Sequence, residues 1–259
     1  MSIIKEVGIL LRAHPYSESS QVLRFLTPEH GILPVMARGV RRQSSKGQGS
    51  PSTFDEVALE VSFRPHRELQ TLRGFEVTRS RRSLGKEVIR FWGASLVAEL
   101  LLAHTLHEGD RSLYEGVAGG LNRLQELPSR QVPGAILAAS WTVLERAGLS
   151  PALAACTRCG GAVGGEETLV RFSTAEGGLL CAGCGEAGKG PRLGPGARRD
   201  LKLLLAGQVP EELRGADVHL RILEAFALHH LAPTRPFRAV DLLHPLMVEA
   251  GEVAGGGGE

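Results

Sequence analysis

The sequence predicts an α+β protein of several domains: a small N-terminal five-stranded β-barrel, then an α-helical bundle domain carrying an inserted four-cysteine knuckle. Three observations carry this expectation. Apolar residues alternate with period two through the first 80 positions, helical stripes take over beyond residue 86, and all four cysteines fall in two Cys-x-x-Cys pairs between helical stretches. At 259 residues the chain is long enough for two modest cores and an insert. The expected boundaries are 1–80 for the barrel and 81–150 for the first part of the helical domain. The insert takes 151–192, the second helical part 193–250, and a disordered glycine-rich tail 251–259.

The strands come first. Val57, Leu59, Val61 and Phe63 alternate with Ala58, Glu60 and Ser62, and the same period runs through Leu23-Arg24-Phe25-Leu26. Thr27-Pro28-Glu29-His30-Gly31 reads as a turn into Ile32-Leu33-Pro34-Val35-Met36, where Pro34 argues for an edge strand or a bulge. About five strands result, near 3–13, 20–27, 31–38, 55–63 and 68–78. Five strands with no early helix fit a closed or partly open barrel, for which the oligonucleotide-binding (OB) fold is the leading example; an SH3-like barrel would look much the same.

Charge divides the chain. The net charge of +2 hides +6 over residues 1–90 (15 Lys and Arg against 9 Asp and Glu) and −4 over the remainder (15 against 19). Such a split suggests a polyanion partner for the first part and protein partners for the second, against the plainer alternative of a solvated basic surface. The third and fourth strands are joined by a glycine- and serine-rich loop bearing Arg38, Arg41, Arg42 and Lys46, the composition a phosphate backbone would select because each contact releases counterions. Arg12, Arg24, Arg64, Arg67 and Arg73 are second candidates, and Arg79, Arg81, Arg82 and Lys86 could extend the patch. Tyr16, Phe25, Phe54, Phe63 and Phe75 are the aromatics available to stack on bases. Most phenylalanines fit the core better, so binding should follow the backbone and tolerate sequence.

Helical stripes follow. Val88 to Leu102 is apolar on most of its circumference and should lie at the centre of a bundle. Leu113, Val117, Leu121 and Leu124 make a second stripe ended by Pro128, and Val132, Ile136, Ala139, Trp141 and Leu144 a third ended at Gly148. Helices resume at 197–206, 217–231 and 240–249.

The cysteine pairs, Cys156-Thr157-Arg158-Cys159 and Cys181-Ala182-Gly183-Cys184, are separated by 21 residues, close to the spacing of a zinc ribbon. Two residues between cysteines let both sulfurs point at one centre from a tight turn, and tetrahedral zinc takes two such turns. Gly160, Gly161, Gly183 and Gly185 suit those turns, while Thr168–Phe172 followed by Ala175–Gly178 reads as a strand entering a hairpin. One structural Zn²⁺ would replace the core that this glycine-rich segment lacks. Redox dithiols and disulfides are the rivals; a catalytic zinc needs an open position that four thiolates do not leave.

No active site presents itself, and a non-enzymatic protein is expected. The chain has neither a Gly-x-x-x-x-Gly-Lys-Ser/Thr phosphate loop nor a Gly-x-Ser-x-Gly elbow. His104 and His107 share a helical face without a carboxylate cluster, His229-His230 fit ordinary histidines, and Glu166-Glu167 fit a solvated turn. The N-terminus lacks the pattern of a signal peptide and no run reaches membrane-span length, so a soluble cytoplasmic protein without membrane partners is expected.

Several of these segments together resemble the RecO family of bacterial recombination mediators and DNA-repair proteins. They are Tyr16-Ser17-Glu18-Ser19, Thr27-Pro28-Glu29-His30-Gly31, Ala37-Arg38-Gly39-Val40-Arg41, Cys156-x2-Cys159, and Gly177-Gly178-x2-Cys181-x2-Cys184, in that order across most of the chain. The resemblance implies an OB domain, a helical domain and a zinc insert. It also implies binding of single- and double-stranded DNA, annealing of complementary strands, and work with a RecR-type ring protein that lets RecA recombinase displace single-strand-binding protein, with nucleoid association when DNA is bound. The alternative class is a zinc-containing protein–protein adaptor in transcription or ribosome assembly. A metal-dependent nuclease would need carboxylates that the sequence does not cluster.

Overall fold

A computed structural model of the chain describes residues 2–38, 50–104, 108–165, 168–186 and 188–255. The chain divides into two compact units, Met1–Gln125 and Glu126–Glu259. By contact, the helices at 88–103 and 111–126 fall almost wholly in the first unit.

In the first unit, strands β1 (Ser2–Ser17), β2 (Ser20–Thr27), β3 (Gly31–Arg38), β4 (Glu56–Phe63) and β5 (Gln70–Arg79) close a barrel in the order β1-β2-β3-β5-β4, as in an OB fold. Closure depends on β1 pairing twice: Ser2 to Ile9 run antiparallel to β4, and Ile9 to Ser17 run antiparallel to β2 with two bulges. The seam is the short parallel contact of Val35 and Met36 on β3 with Gln70 and Thr71 on β5. Pro34 is therefore not on an edge strand: it pairs with Arg24 on β2 and lies just before that two-residue seam, where a missing N–H is tolerated. The alternation seen in the sequence becomes the pleat. Leu23, Phe25, Leu33, Val35, Val57, Leu59, Val61 and Leu72 fill the barrel, and Arg24, Arg38 and Arg73 point outward.

Arg81, placed by the charge pattern with the basic surface, is instead buried, with 1% of its surface exposed. Its guanidinium donates to Asn122 Oδ1 (2.9 and 3.0 Å), the Phe54 carbonyl (3.0 Å) and Glu56 (3.2 Å), while Asp55 Oδ1 accepts from its backbone N–H (2.8 Å). Burial lowers its pKa and the Glu56 carboxylate opposes that shift. The same contacts hold Phe54 in a left-handed conformation (φ 75°), unusual for a side chain of that size. Arg81 thus ties the entry of β4 to the helix at 111–126. Helices α1 (Val88–Ala103) and α2 (Arg111–Glu126) complete the unit, α2 being capped by Asp110, whose carboxylate accepts from the N–H groups of Ser112 and Leu113.

In the second unit, α3 (Val132–Arg146) is buried on nearly every side and ends at Gly148 (φ 76°), where Leu149 N–H returns to the Leu144 carbonyl. A three-stranded sheet of β6 (Val170–Ser173), β7 (Gly178–Leu180) and β8 (Arg192–Leu193), in the order β7-β6-β8, leads through β7 into the second cysteine pair at the one-turn helix α4 (Ala182–Gly185). Helices α5 (Pro195–Leu205), α6 (Ala216–Leu231) and α7 (Arg238–Gly255) follow. Helix α7 runs past residue 251, where a disordered tail was expected, and residues 256–259 lie outside the described residues. Among the described residues no helix is long and apolar enough to cross a membrane.

Candidate metal centre and nucleic-acid interface

The two cysteine turns are built differently. Cys156–Cys159 form a knuckle in which Gly160 N–H donates to the Cys156 carbonyl and Cys156 N–H to the Gly161 carbonyl, both at 2.9 Å, with Gly160 at φ 71°. Cys181 follows β7 and Cys184 lies on α4, whose turn closes with Gly185 N–H on the Cys181 carbonyl (2.8 Å). The knuckle is stitched to β7 by Thr157 N–H on the Leu179 carbonyl and by the Ala152–Gly178 bridge. Gly178 must be glycine here, because a Cβ would lie 2.2 Å from the Ala152 carbonyl oxygen.

The four sulfurs converge within 4.8 Å of one another, and Cys159 Sγ and Cys181 Sγ are 3.8 Å apart. That separation is far beyond an S–S bond of about 2.05 Å. It matches the edge, about 3.8 Å, of a tetrahedron with metal–sulfur bonds of about 2.3 Å. Backbone N–H groups of Cys181 and Cys159 hold the Cys156 thiol down at about 6, whereas hydrogen bonds with the sulfurs of Cys181 and Cys159 push the Cys184 thiol up to about 12. Four sulfurs sharing protons in this way can exchange them for one cation. The residues fit a thiolate-bound metal and leave no position open for water.

Two arginines that sequence inspection did not single out support the ligand loops. Arg158 donates to the Cys184 carbonyl (3.0 Å) and to Glu176 (2.8 Å), and Arg171 donates to the carbonyls of Gly185 and Gly190, both at 2.6 Å. The insert also has a core, contrary to expectation. Val170, Phe172, Leu179, Leu180 and Leu193 are buried, and Phe172 meets Phe226 of α6, which in turn meets Trp141 of α3. Apolar packing therefore holds the insert beside the cysteine cluster.

On the barrel, cross-strand register brings arginines together that sequence distance separates. Arg12 on β1 is the partner of Arg24 on β2, and both are exposed. Arg38 pairs with Ser20 at the end of β3, two residues beyond Met36, and Arg73 lies two residues beyond Thr71, the β5 partner of Met36. The 64–69 connection adds Arg64 and Arg67. Arg64, Arg67 and Arg73 line one cavity of about 90 Å³, and Arg24 and Arg67 line a cleft of about 780 Å³ with Phe63, His30, His66 and His104. Arg41, Arg42 and Lys46 lie outside the described residues, as do His107 and Glu166-Glu167. Of the aromatics, Phe25, Phe54 and Phe75 are core, Phe63 is half-buried, and Tyr16 is 70% exposed near the tip of the β1–β2 hairpin.

Gln70 is the residue the sequence pattern should have revealed and did not: it is in phase with inward-facing Leu72 yet polar. Buried at the start of β5, it accepts from Arg64 N–H (2.8 Å) and donates to the carbonyls of Arg64 (3.0 Å) and Arg67. It fixes the loop that displays two of the arginines.

A closed barrel of OB strand order with arginines on its outward face, joined to a helical unit containing four converging cysteines, defines a class of OB-fold proteins with a cysteine knuckle able to hold a metal. Residues 1–81 match the family model described as recombination protein O N terminal, and residues 85–236 the one described as recombination protein O C terminal. The chain is similar to the DNA repair protein RecO of Anaeromyxobacter sp. (strain K), at 36% identity over 90% of this chain and 85% of the relative. It is also similar to those of Anaeromyxobacter dehalogenans (strain 2CP-C), at 34% over 95% and 99%, and of Myxococcus xanthus, at 31% over 91% and 95%. The chain belongs to the RecO family of DNA-repair proteins.

Proposed function

We propose that the protein is a recombination mediator of the cytoplasm and nucleoid that binds single- and double-stranded DNA on the outward face of the barrel, anneals complementary strands, and helps load recombinase with a RecR-type ring partner. One observation supports the DNA reading: strand register pairs exposed Arg12 with exposed Arg24, and Arg38, Arg73 and the Arg64–Arg67 loop add further arginines to the outside of the same barrel. Strands 2 and 3 and the adjoining loops are the ligand-binding surface of OB folds generally. Arg41, Arg42 and Lys46 extend that surface by sequence. Annealing needs no nucleotide and no reacting group: a basic surface that neutralises two strands lowers their mutual repulsion and lets base pairing proceed. The protein therefore acts by binding and not by turnover.

The metal is zinc. Four thiolates at tetrahedral spacing suit it over hard cations, which prefer oxygen. Cys156, Cys159, Cys181 and Cys184 hold one ion that stabilises the second unit and performs no chemistry.

The test is annealing of two labelled complementary strands without nucleotide across a salt series. Fast annealing that fades with salt, and is lost when Arg41, Arg42 and Lys46 become alanine, is expected. Absence of both annealing and DNA binding near physiological salt would refute the mediator assignment and favour a protein adaptor.

A further inference from the structure

We propose that the cavity rimmed by Arg64, Arg67 and Arg73 is a receptor for the terminal phosphomonoester of a DNA strand, an inference that rests on the barrel being a DNA-binding surface. The cavity, about 90 Å³, is walled by Ser62, Leu69, Gln70 and Thr71 besides the three arginines, and no carboxylate lines it among the described residues. That volume suits a few waters or one tetrahedral oxyanion. Its shape is built in advance. Ser62 and Thr71 are cross-strand partners on β4 and β5, Arg67 N–H closes a turn on the Arg64 carbonyl at 3.0 Å, and buried Gln70 holds both carbonyls of that turn from beneath. Three arginines thus line one hollow whose adjoining turn is held by Gln70.

The chemistry selects a terminal group over an internal one. An internal phosphodiester carries one charge and two carbon substituents that must leave the cavity on opposite sides. A monoester has a single substituent and up to two charges, with three oxygens free to accept from guanidinium forks. Arginines stay charged throughout the accessible pH range, whereas a monoester loses its second charge below about pH 6. Preference for a phosphorylated end should therefore shrink in mild acid while backbone binding persists.

The full chain is titrated against one oligodeoxynucleotide in three forms: hydroxyl at both ends, 5′-phosphate, or 3′-phosphate. One or both phosphorylated forms should bind roughly tenfold tighter than the hydroxyl form near neutral pH, the gain of one charge-assisted contact. Inorganic phosphate should compete that advantage away first, and the triple variant Arg64→Ala/Arg67→Ala/Arg73→Ala should lose it while keeping its melting temperature. Which end shows the advantage identifies the source of the phosphate. Equal affinity for all three forms overturns the inference and leaves the DNA-binding assignment standing. An advantage that survives in the triple variant overturns the location. Failure to bind any of the three overturns the DNA-binding assignment itself.

Discussion

The barrel and the cysteine knuckle solve the same problem, holding short strands in place, by different means. The barrel's strands run eight to sixteen residues and close on themselves, so nearly every backbone group finds a partner and the interior fills with Leu, Val and Phe. The knuckle's strands run two to four residues, too short to hold a sheet by ladder bonds alone. Its loops are fixed by four converging sulfurs, by arginines on carbonyls and by Phe172 docked on Phe226. Closure leaves the barrel's outward face free for arginines, whereas the knuckle uses Arg158 and Arg171 on its own backbone carbonyls.

Breaking the metal should separate the two units most sharply. Cys181→Ser, or chelation, should remove the zinc and destabilise the second unit by several kcal/mol, since folding and metal binding are coupled there. Metal analysis with scanning calorimetry should then show the second unit's transition lost and the barrel's unchanged. Zinc retained at full stoichiometry would refute the four-thiolate site. The reverse experiment is Phe25→Ala in the barrel core, which should cost the first unit about 3–5 kcal/mol while zinc content stays the same.

Acid sharpens the comparison through His219. It is fully buried on α6 with neither ring nitrogen partnered, and burial drags its pKa from 6.5 to about 4. The unfolded chain takes up this proton below about 6.5 while the folded unit refuses it, so stability is fully present above that pH and is lost as pH falls toward 4. The loss approaches about 3 kcal/mol. Asp200 and Glu224 are raised by burial and act with the opposite sign, so the readout is the difference between wild type and His219→Leu in denaturant titrations over this range. A His219→Leu slope equal to that of wild type would exclude His219 as the cause.

Gln70→Ala should cost the barrel about 1–3 kcal/mol, because it takes away the side-chain partner of the Arg64 N–H and of the Arg67 carbonyl. It should also blunt DNA binding through the loosened loop. The smallest effect is on single outward arginines. Arg12→Ala or Arg24→Ala should leave melting unchanged and reduce the slope of log affinity against log salt by about 0.7–0.9 each. An unchanged slope for both would move the DNA path off the β1–β2 ribbon.

Five strand positions, most helices and the pairing of the cysteines into one cluster were legible in the sequence because each rests on a local signal. Alternation, helical stripes and Cys-x-x-Cys spacing are set by residues a few positions apart, and the strands expected at 20–27 and 31–38 are those observed. Arg81 was misplaced because charge alone does not distinguish a solvated guanidinium from one that Asn122, Phe54 and Glu56 surround from 25 to 41 residues away. Helices α1 and α2 show the same limit: an apolar stripe tells that a face is buried and is silent about what buries it, and by contact both fall almost wholly in the first unit. Local pattern thus gave the kinds of element, the cysteines that cluster and the inventory of basic residues. Only the tertiary structure decided which arginines share the cavity beside Gln70, which one became core, and that the knuckle packs on α6, because register and burial are long-range properties of the closed barrel and the packed helices.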